Sequence, residues 1–432
     1  MSSPTVLTKL RCIAEQSERF PERMFTTLAH LIDVEFLREA FGELRKDAAA
    51  GPDGVTAKHY AENLEGNLSD LHQRMKAGRY RAQPARRAWI PKDDGRRRPL
   101  AIPALEDKVA QKAVSMVLGA VYEPMFYEFS YGFRPGRSAH QALTYLREQC
   151  LQGNINWIVD ADIRNCFGEI DRGHLRAILK SRVNDGSITR LIGKWLHVGV
   201  MEEEGGVTIE ANGTPQGGVI SPILANIFLH TVLDDWFVKE VRPRMTGNCF
   251  LIRFADDLVL GFEHKSDAER VFQVLPKRLG RFGLTAHPDK SRLVQFSRPN
   301  WRKGKGPGTF DFLGFTHFWG KTRKGGWTIK RKTQRSRVHR TMARLWSWCK
   351  ENRHEPIADQ HRVLCAKLRG HYQYYGIRGN YRMLELVFEY AEKAWKAWLG
   401  RRTRNGYIRW EAFERKYRVV LPLPKPHIVH SF

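Results

Sequence analysis

Cysteine is scarce in this sequence, and its spacing excludes several kinds of small domain. The six cysteines are scattered over 432 residues and form no CxxC pair. This spacing argues against a zinc ribbon or a zinc finger. We therefore expect reduced thiols in the core of a cytoplasmic protein.

Long apolar runs, internal repeats and low-complexity tracts are also missing. The first residues do not resemble a signal peptide, and no apolar run approaches the length that spans a membrane. No repeat period typical of a solenoid or a propeller is present. We expect no membrane partner, and 42% hydrophobic residues over this length predict two or three domains with real cores.

Acidic residues are outnumbered by basic ones, and the imbalance is local. The sequence has 46 Asp and Glu against 72 Lys and Arg, a formal net charge of +26. Residues 321–432 hold 27 Lys and Arg against 8 Asp and Glu, a net +19, which leaves +7 for residues 1–320. Such an excess predicts an anionic polymer partner, nucleic acid rather than an anionic membrane. Its concentration in one segment suggests chemistry in one part of the chain and polyanion binding in another.

The hydrophobic pattern predicts a mixed chain of helices and strands. Helices are expected at 5–18, 34–46, 55–80, 105–121, 172–197 and 266–282, with another beginning at 221. Strands are expected at 86–90, 98–102, 157–163, 250–253, 258–262, 291–296 and 310–315. Beyond residue 326 basic residues interleave with Trp and Tyr in a mostly helical pattern.

Two adjacent carboxylates, Asp256 and Asp257, lie between two of these apolar strands. Like charges repel there, and an unpaired buried carboxylate carries a large desolvation penalty. A divalent cation that prefers oxygen ligands, such as Mg²⁺, would remove both difficulties. An ordinary polar hairpin tip is the alternative interpretation, because Asp is common in turns.

The strand at 157–163 supplies a candidate third carboxylate. Asp160 and Asp162 are two residues apart and therefore share one face of that strand. An exposed polar face would explain Asp160, but it explains Asp162 less well, because Ile163 continues an apolar context. Carboxylates on adjacent strands around a hairpin are the arrangement of a polymerase palm, where two metal ions assist phosphoryl transfer.

Eight short sequence blocks follow one another in order over most of the chain. The blocks are residues 98–103 (RPLAIP), 129–138 (FSYGFRPGRS), 162–167 (DIRNCF), 213–222 (GTPQGGVISP), 254–257 (FADD), 283–290 (GLTAHPDK), 312–315 (FLGF) and 368–376 (LRGHYQYYG). A single block is short, but the ordered set is specific, and it resembles the blocks of bacterial group II intron reverse transcriptase/maturases. The hairpin departs from the family in one respect, because Phe254 stands where Tyr is more frequent.

The resemblance implies a right-hand polymerase of the α+β class. Fingers and a palm with an antiparallel sheet would be followed by an α-helical thumb. It implies a helical N-terminal extension over 1–50, a reverse transcriptase domain of fingers and palm over 51–320, and a basic helical thumb or maturase domain over 321–432. We also expect no Cys/His-rich nuclease module after the thumb.

The resemblance also implies a catalytic centre. Asp162, Asp256 and Asp257 would bind two Mg²⁺ ions, with Mn²⁺ as a substitute, and the Ile163 carbonyl would complete the coordination. Asp162 and Asp256 are expected to be the direct ligands, because Asp257 and its neighbour point to opposite faces of a strand. Lys290 would neutralise or protonate the leaving pyrophosphate.

Five more residues are implied to contact the incoming dNTP. Lys92 and Arg98 would bind its triphosphate, although they could instead be solvated charges of a basic hairpin. Phe167 would exclude a ribose 2′-hydroxyl, or it could be ordinary core. Gln216 and Gly217 would lie under the nascent base pair, where glycine permits close backbone approach.

The implied function is that of an RNA-directed DNA polymerase that also binds its intron RNA to assist splicing and mobility. The implied partners are intron RNA, an RNA template with a DNA primer, dNTPs and target DNA. One alternative is a maturase that acts mainly as an RNA-binding splicing cofactor, which would not need the three carboxylates. The other is a domesticated reverse transcriptase in defence or repair.

Overall fold

A computed structural model of the chain describes residues 4–91, 97–202, 205–209, 212–299, 307–403 and 406–431. Helices and strands alternate along the first two thirds, and helices dominate the last third. None of the helices within these residues is both long and apolar enough to cross a bilayer.

The α-helices are numbered in chain order, and several short 3₁₀ and π segments lie between them. The α-helices are α1 (Pro4–Arg19), α2 (Val34–Gly42), α3 (Ala57–Ala61), α4 (Leu64–Lys76), α5 (Leu105–Tyr122), α6 (Ala139–Gln152), α7 (Cys166–Glu169), α8 (Arg172–Arg182), α9 (Gly186–His197), α10 (Ser221–Leu229), α11 (Lys265–Gly280), α12 (Arg335–Glu351), α13 (Ile357–Tyr375), α14 (Tyr381–Gly400) and α15 (Trp410–Phe413). The 3₁₀ and π segments are Ala29–Leu31, Glu123–Met125, His230–Asp234, Phe237–Val241, Arg242–Arg244 and Glu414–Arg418.

The strands form three sheets in which antiparallel pairing predominates. They are β1 (Ala85–Pro91), β2 (Arg97–Ile102), β3 (Trp157–Arg164), β4 (Val200–Met201), β5 (Val207–Thr208), β6 (Cys249–Phe254), β7 (Asp257–Phe262), β8 (Thr285–Ala286), β9 (Arg292–Gln295), β10 (Phe310–Phe312), β11 (Phe315–Lys321) and β12 (Trp327–Thr333). The predicted α+β class, with antiparallel sheets and a helical C-terminal region, is confirmed.

The first of two compact units comprises the described residues of 1–146 and 159–293. Its central helix is α5, where Val109, Val114, Val117 and Val121 are completely buried at helical spacing. Helices α1, α2 and α10 pack against α5. One sheet of this unit has the strand order β2–β1–β4–β5.

A second sheet in the same unit carries the carboxylate-bearing strands. Its order is β6–β7–β3–β8, and β9 pairs with β3. Strands β6 and β7 are antiparallel, with Phe254 opposite Asp257 at the turn. Residues 258–262 of β7 are all buried. Because both faces of this strand are covered, its sequence is a continuous apolar run rather than an alternating one.

The prediction of a single helix over 172–197 is wrong. After α8, Val183 forms an isolated bridge with Phe25 and takes an extended conformation. Asp185 then begins α9 by accepting hydrogen bonds from two backbone N–H groups of the first turn, at 2.8 and 3.1 Å. A long-range contact and a new N-cap therefore divide the helical pattern.

The prediction of one continuous strand over 310–315 is also wrong. Leu313 and Gly314 have φ angles of 50° and 78°, so the chain turns between β10 and β11. Gly314 tolerates this conformation because it has no Cβ.

The second compact unit comprises the described residues of 147–158 and 294–431. It contains the sheet β10–β11–β12 and the helices α12 to α15. Tyr372 and Trp395 lie at the centre of its apolar core, and the Trp395 indole N–H donates to Gln360 at 3.0 Å. Many of the aromatic residues in this basic segment therefore pack inside it. The domain boundaries at 50/51 and 320/321 stay predictions.

Candidate active site

The turn between β6 and β7 presents Asp256 on a rigid support. Ala255 precedes it with a φ of 57°, a left-handed conformation that is unusual for a residue with a Cβ. Asp256 is partly buried, whereas Asp257, the first residue of β7, is exposed. The two adjacent carboxylates thus have different environments, as expected for neighbours at a strand end.

Asp162 lies on β3, the strand next to β7. Its backbone carbonyl accepts from the His287 N–H at 2.7 Å, and its side chain accepts from Lys290 Nζ at 2.5 Å. On the same face of β3, Asp160 accepts from Arg292 Nε at 3.0 Å. The residues after β8 therefore supply one cation to each of the two aspartates.

Electrostatic coupling links Asp256 with three other predicted site residues. Burial raises the pKa of the Asp256 carboxyl above its ordinary value, and the negative charge of Asp162 raises it further. The positive charges of Arg98 and Lys290 oppose this shift. The structure thus brings Asp162, Asp256, Arg98 and Lys290 close enough together to interact.

The complete set of three carboxylates is not gathered into one cluster in this conformation. Among the described residues, no group of three or more His, Cys, Asp or Glu side chains is arranged to hold a metal ion. Ile163 is buried and lies opposite Ala286 in the β3–β8 ladder. The centre of the site is therefore the pair formed by Asp162 and Asp256.

Phe167 follows this centre on α7, after a left-handed Asn165 with a φ of 41°. Its ring is partly exposed and packs edge-on against the exposed Phe133, with ring centroids 6.3 Å apart. Its carbonyl accepts from the Thr214 N–H at 2.7 Å. This bond ties α7 to the loop that carries Gln216.

Gln216 and Gly217 lie against strand β2. The Gln216 carbonyl accepts from the Ala101 N–H at 2.7 Å. Gly217 has a φ of 111°, and a Cβ there would lie 2.7 Å from the Ala101 carbonyl oxygen. Glycine is required for this approach. Arg98 is exposed on the same β2 strand, and Lys92 lies outside the described residues.

Arg253, which the sequence pattern did not single out as functional, supports this turn with its side chain. Its side chain is completely buried and forms an ion pair with the buried Asp234 at 2.6 and 2.9 Å. It also donates to Asn226 at 3.0 Å, to Ser130 at 2.7 Å and to the Ala255 carbonyl at 3.1 Å. A lone Arg inside the apolar run of β6 was the available signal, because unpaired buried charges are avoided.

Gly132 was missed as a second support of the same turn. A Cβ at this position would lie 2.2 Å from the backbone nitrogen of Ala255. The Gly132 carbonyl accepts from Asn226 Nδ2 at 2.7 Å, and the Tyr131 N–H donates to the Arg253 carbonyl at 2.9 Å. The block at 129–138 therefore packs directly on the backbone that presents Asp256.

The chain is similar to known proteins over more than half of its length. Residues 90–317, more than half of the chain, match the family model of reverse transcriptase (RNA-dependent DNA polymerase). The chain is 35% identical over 240 residues to the group II intron-encoded protein LtrA of Lactococcus lactis subsp. cremoris. The aligned region covers 54% of this chain and 39% of LtrA. It is 33% identical over 247 residues to an uncharacterized 91 kDa protein in the cob intron of Schizosaccharomyces pombe, covering 56% of this chain and 30% of that protein.

A third relative is protein YkfC of Escherichia coli K12, which is 36% identical over 183 residues, covering 42% of this chain and 48% of YkfC. The chain thus spans less than half the length of each of these three curated relatives. The predicted resemblance to group II intron reverse transcriptases is confirmed. By its match to this family model over more than half of its length, the chain belongs to the reverse transcriptase family.

Proposed function

We propose that this chain is an RNA-directed DNA polymerase that extends a DNA primer on an RNA template with dNTPs. The observation that best supports this function is the electrostatic interaction between the Asp162 and Asp256 carboxylates. The positive charges of Arg98 and Lys290 also act on the Asp256 carboxyl. Nucleotidyl transfer depends mainly on positioning and charge neutralisation, so a few rigidly held groups are sufficient.

The donor set suits a hard divalent cation. The two carboxylates repel one another, and burial already disfavours the charged form of Asp256. A cation between them would offset both effects, and Mg²⁺ prefers such oxygen ligands. We propose that Asp162 and Asp256, with Asp257 and the Ile163 carbonyl, hold two Mg²⁺ ions and that Mn²⁺ can replace them. When bound, these ions stabilise the attacking and leaving oxygens.

Lys290 is proposed to serve the leaving pyrophosphate. Its ammonium contacts Asp162 at 2.5 Å, while 61% of its side chain is exposed. An exposed Lys can exchange one anionic partner for another with little loss of packing. Substrate binding would therefore transfer Lys290 from the Asp162 carboxylate to the phosphate that departs.

The remaining predicted residues are proposed to form the dNTP site. Arg98, exposed on β2, would bind the triphosphate together with Lys92. The partly exposed ring of Phe167 would meet the 2′ position of the sugar and exclude a hydroxyl. Gln216 and Gly217, fixed to β2 by the Ala101 hydrogen bond, would support the base pair being formed.

A second proposed function is binding of intron RNA to assist splicing and mobility. LtrA is named as a group II intron-encoded protein, and a further relative is named nuclear intron maturase 4 of Arabidopsis thaliana. The net charge of +19 in residues 321–432 supports contact with an RNA backbone, and target DNA is a further proposed partner.

Primer extension on an RNA template in Mg²⁺ tests the proposed polymerase. Asp256→Asn is expected to lower the rate at least about 10³-fold, because charge neutralisation at the reacting phosphate is lost. Asp160→Asn is the matched control, since Asp160 shares the face of β3 but pairs with Arg292. The control should extend primers like the wild type. No extension by the wild-type chain, or equal loss in both variants, would reject this function.

A further inference from the structure

A large basic cleft lies beside the β11–β12 hairpin of the second unit. Its volume is about 930 Å³, within the range of ligand-binding clefts. Three separate segments line it: residues 321–324 and 328–331 of the hairpin, Arg147 within α6, and the loop at Arg378. Of the described residues that line it, seven are Lys or Arg and none is Asp or Glu.

Most of these cations have no anionic partner to neutralise them. In the described part of the chain, Arg323, Lys324, Lys330 and Arg378 form no salt bridge. Their positive charge is therefore directed into the cleft and the solvent beside it. Low-dielectric walls lined with charges of one sign concentrate the field inside a cleft and attract a ligand of opposite charge.

Two further cations of the cleft, Arg147 and Arg331, interact electrostatically. Arg147 donates to the Thr328 hydroxyl at 3.2 Å, which fixes its guanidinium near β12. Burial, and next the charge of Arg147, lower the pKa of Arg331 to about 10. Arg331 still carries its charge at neutral pH, so the two guanidinium groups repel. A bound anion would relieve this repulsion.

Two of the lining lysines pack closely against residues of the neighbouring strand. A Cβ at Gly320 would lie 2.7 Å from Lys330 Cδ, so the glycine allows the Lys330 stem to cross β11. The Lys321 ammonium lies 5.8 Å from the centroid of the partly exposed Trp327 ring. Cations beside an aromatic face are typical of surfaces that bind single-stranded nucleic acid.

We propose that this cleft binds the phosphate backbone of a single RNA strand. Convergent cations from three segments suit a chain of phosphates better than one isolated anion, and the cleft volume accommodates a few nucleotides rather than a duplex. The proposal deepens the proposed RNA function, because it assigns the contact to a defined site instead of the whole basic segment. It needs no polymerase activity, so the two can be tested separately.

Fluorescence anisotropy with a fluorescein-labelled oligouridylate of about 20 nucleotides tests the cleft. The double variant Arg323→Ala/Lys324→Ala removes two exposed charges of the hairpin turn and no core contact. At about 0.15 M salt its dissociation constant should rise about tenfold, and the slope of log K against log salt should fall by about 1.4. Arg378→Ala, from another segment, should raise the constant about fourfold.

The matched control is Arg415→Ala/Lys416→Ala, an adjacent exposed basic pair outside the cleft lining. It should change the affinity less than about twofold. An equal loss of affinity in the control would mean that RNA binds to diffuse positive charge. An unchanged affinity in Arg378→Ala would mean that the hairpin turn binds RNA without the other segments. If the cleft variants lose more affinity for duplex RNA than for oligouridylate, the cleft is a duplex site. Each of these results would overturn the proposal.

Primer extension with the same variants separates this proposal from the polymerase. If the wild-type chain binds oligouridylate as expected but extends no primer, the polymerase fails and the cleft stands. If extension is normal and Arg323→Ala/Lys324→Ala binds oligouridylate like the wild type, the cleft fails and the polymerase stands.

Discussion

Replacing Arg253 by Lys should loosen the turn that presents Asp256. The guanidinium makes five hydrogen bonds: two to Asp234 and one each to Asn226, Ser130 and the Ala255 carbonyl. A Lys ammonium keeps the charge beside Asp234 but has only three donors, so at least two buried acceptors lose their partner. At about 1–3 kcal/mol for each one, the free energy of unfolding should fall by roughly 2–6 kcal/mol.

Arg253→Lys should also lower the activity of protein that remains folded. The lost bond to the Ala255 carbonyl frees the residue directly before Asp256, and a displacement of about 1 Å in a catalytic group can cost about 10²-fold in rate. At a temperature where the variant is fully folded, kcat for primer extension should fall about 10²-fold. The KM for dNTP should change little, because Arg98 and Lys290 are not bound to Arg253.

The matched control for this prediction is Arg292→Lys. Arg292 contacts Asp160 on the surface of the same sheet, with 47% of its side chain exposed. Exposed ion pairs contribute only about 0–1 kcal/mol, so stability and kcat should remain near those of the wild type. Wild-type kcat in folded Arg253→Lys, with urea unfolding unchanged, would refute the role of Arg253 in positioning the turn.

Three further predictions concern the same site. Gly132→Ala should lower the free energy of unfolding by about 1–3 kcal/mol, because the new Cβ would lie 2.2 Å from the Ala255 backbone nitrogen. The control Gly119→Ala lies in a helix, where the new Cβ would have nothing within 4 Å, and it should raise the free energy of unfolding by up to about 1 kcal/mol. Urea unfolding measures both changes. Phe167→Ala should raise the use of ribonucleotides relative to dNTPs at least about tenfold in primer extension, and an unchanged ratio would assign the ring to packing. Because burial raises the pKa of Asp256, this carboxyl favours folding only below its unfolded pKa, and the contribution is lost as pH rises through the folded pKa. Asp256→Asn should therefore resist urea better than the wild type at neutral pH with a chelator present, and the difference should vanish below about pH 4; a less stable variant at neutral pH would contradict the stated cause of the shift.

Local pattern was sufficient to predict the strands that carry the carboxylates. Strands β3, β6 and β7 are apolar runs with acidic residues near their ends, and such runs bounded by polar residues are strong strand signals. The pairing of β3 beside β7, and hence the proximity of Asp162 to Asp256, followed only from the resemblance to a known family. The catalytic roles of these residues stay proposals.

Long-range contacts decided what the sequence pattern could not. The helix expected from residue 266 begins one residue earlier, at Lys265, and Asp267 in its first turn accepts from the Thr246 N–H at 2.8 Å. The helix expected from residue 221 does begin at Ser221, but the N-cap position is occupied by Ile220, and the Ser221 hydroxyl donates to the Pro215 carbonyl at 2.8 Å. In each case a polar side chain of the first helical turn binds a residue outside the helix.

Arg253 shows the same limit at the site itself. Its position in an apolar strand marked it as unusual, but its partners Asp234, Asn226 and Ser130 lie 19, 27 and 123 residues away in the sequence. A single sequence contains no sign that these side chains meet. Only the folded chain reveals that they support the turn before Asp256.

Binding of Mn²⁺ followed by electron paramagnetic resonance tests most directly whether Asp162 and Asp256 form one cation site. Mn²⁺ takes the same oxygen ligands as Mg²⁺, and its free form gives a signal that decreases on binding. The wild-type chain and Asp160→Asn should bind Mn²⁺ alike, while Asp162→Asn and Asp256→Asn should each lose at least about tenfold in affinity. Equal binding by all four proteins, or a loss in Asp160→Asn as large as in Asp162→Asn, would contradict the assignment.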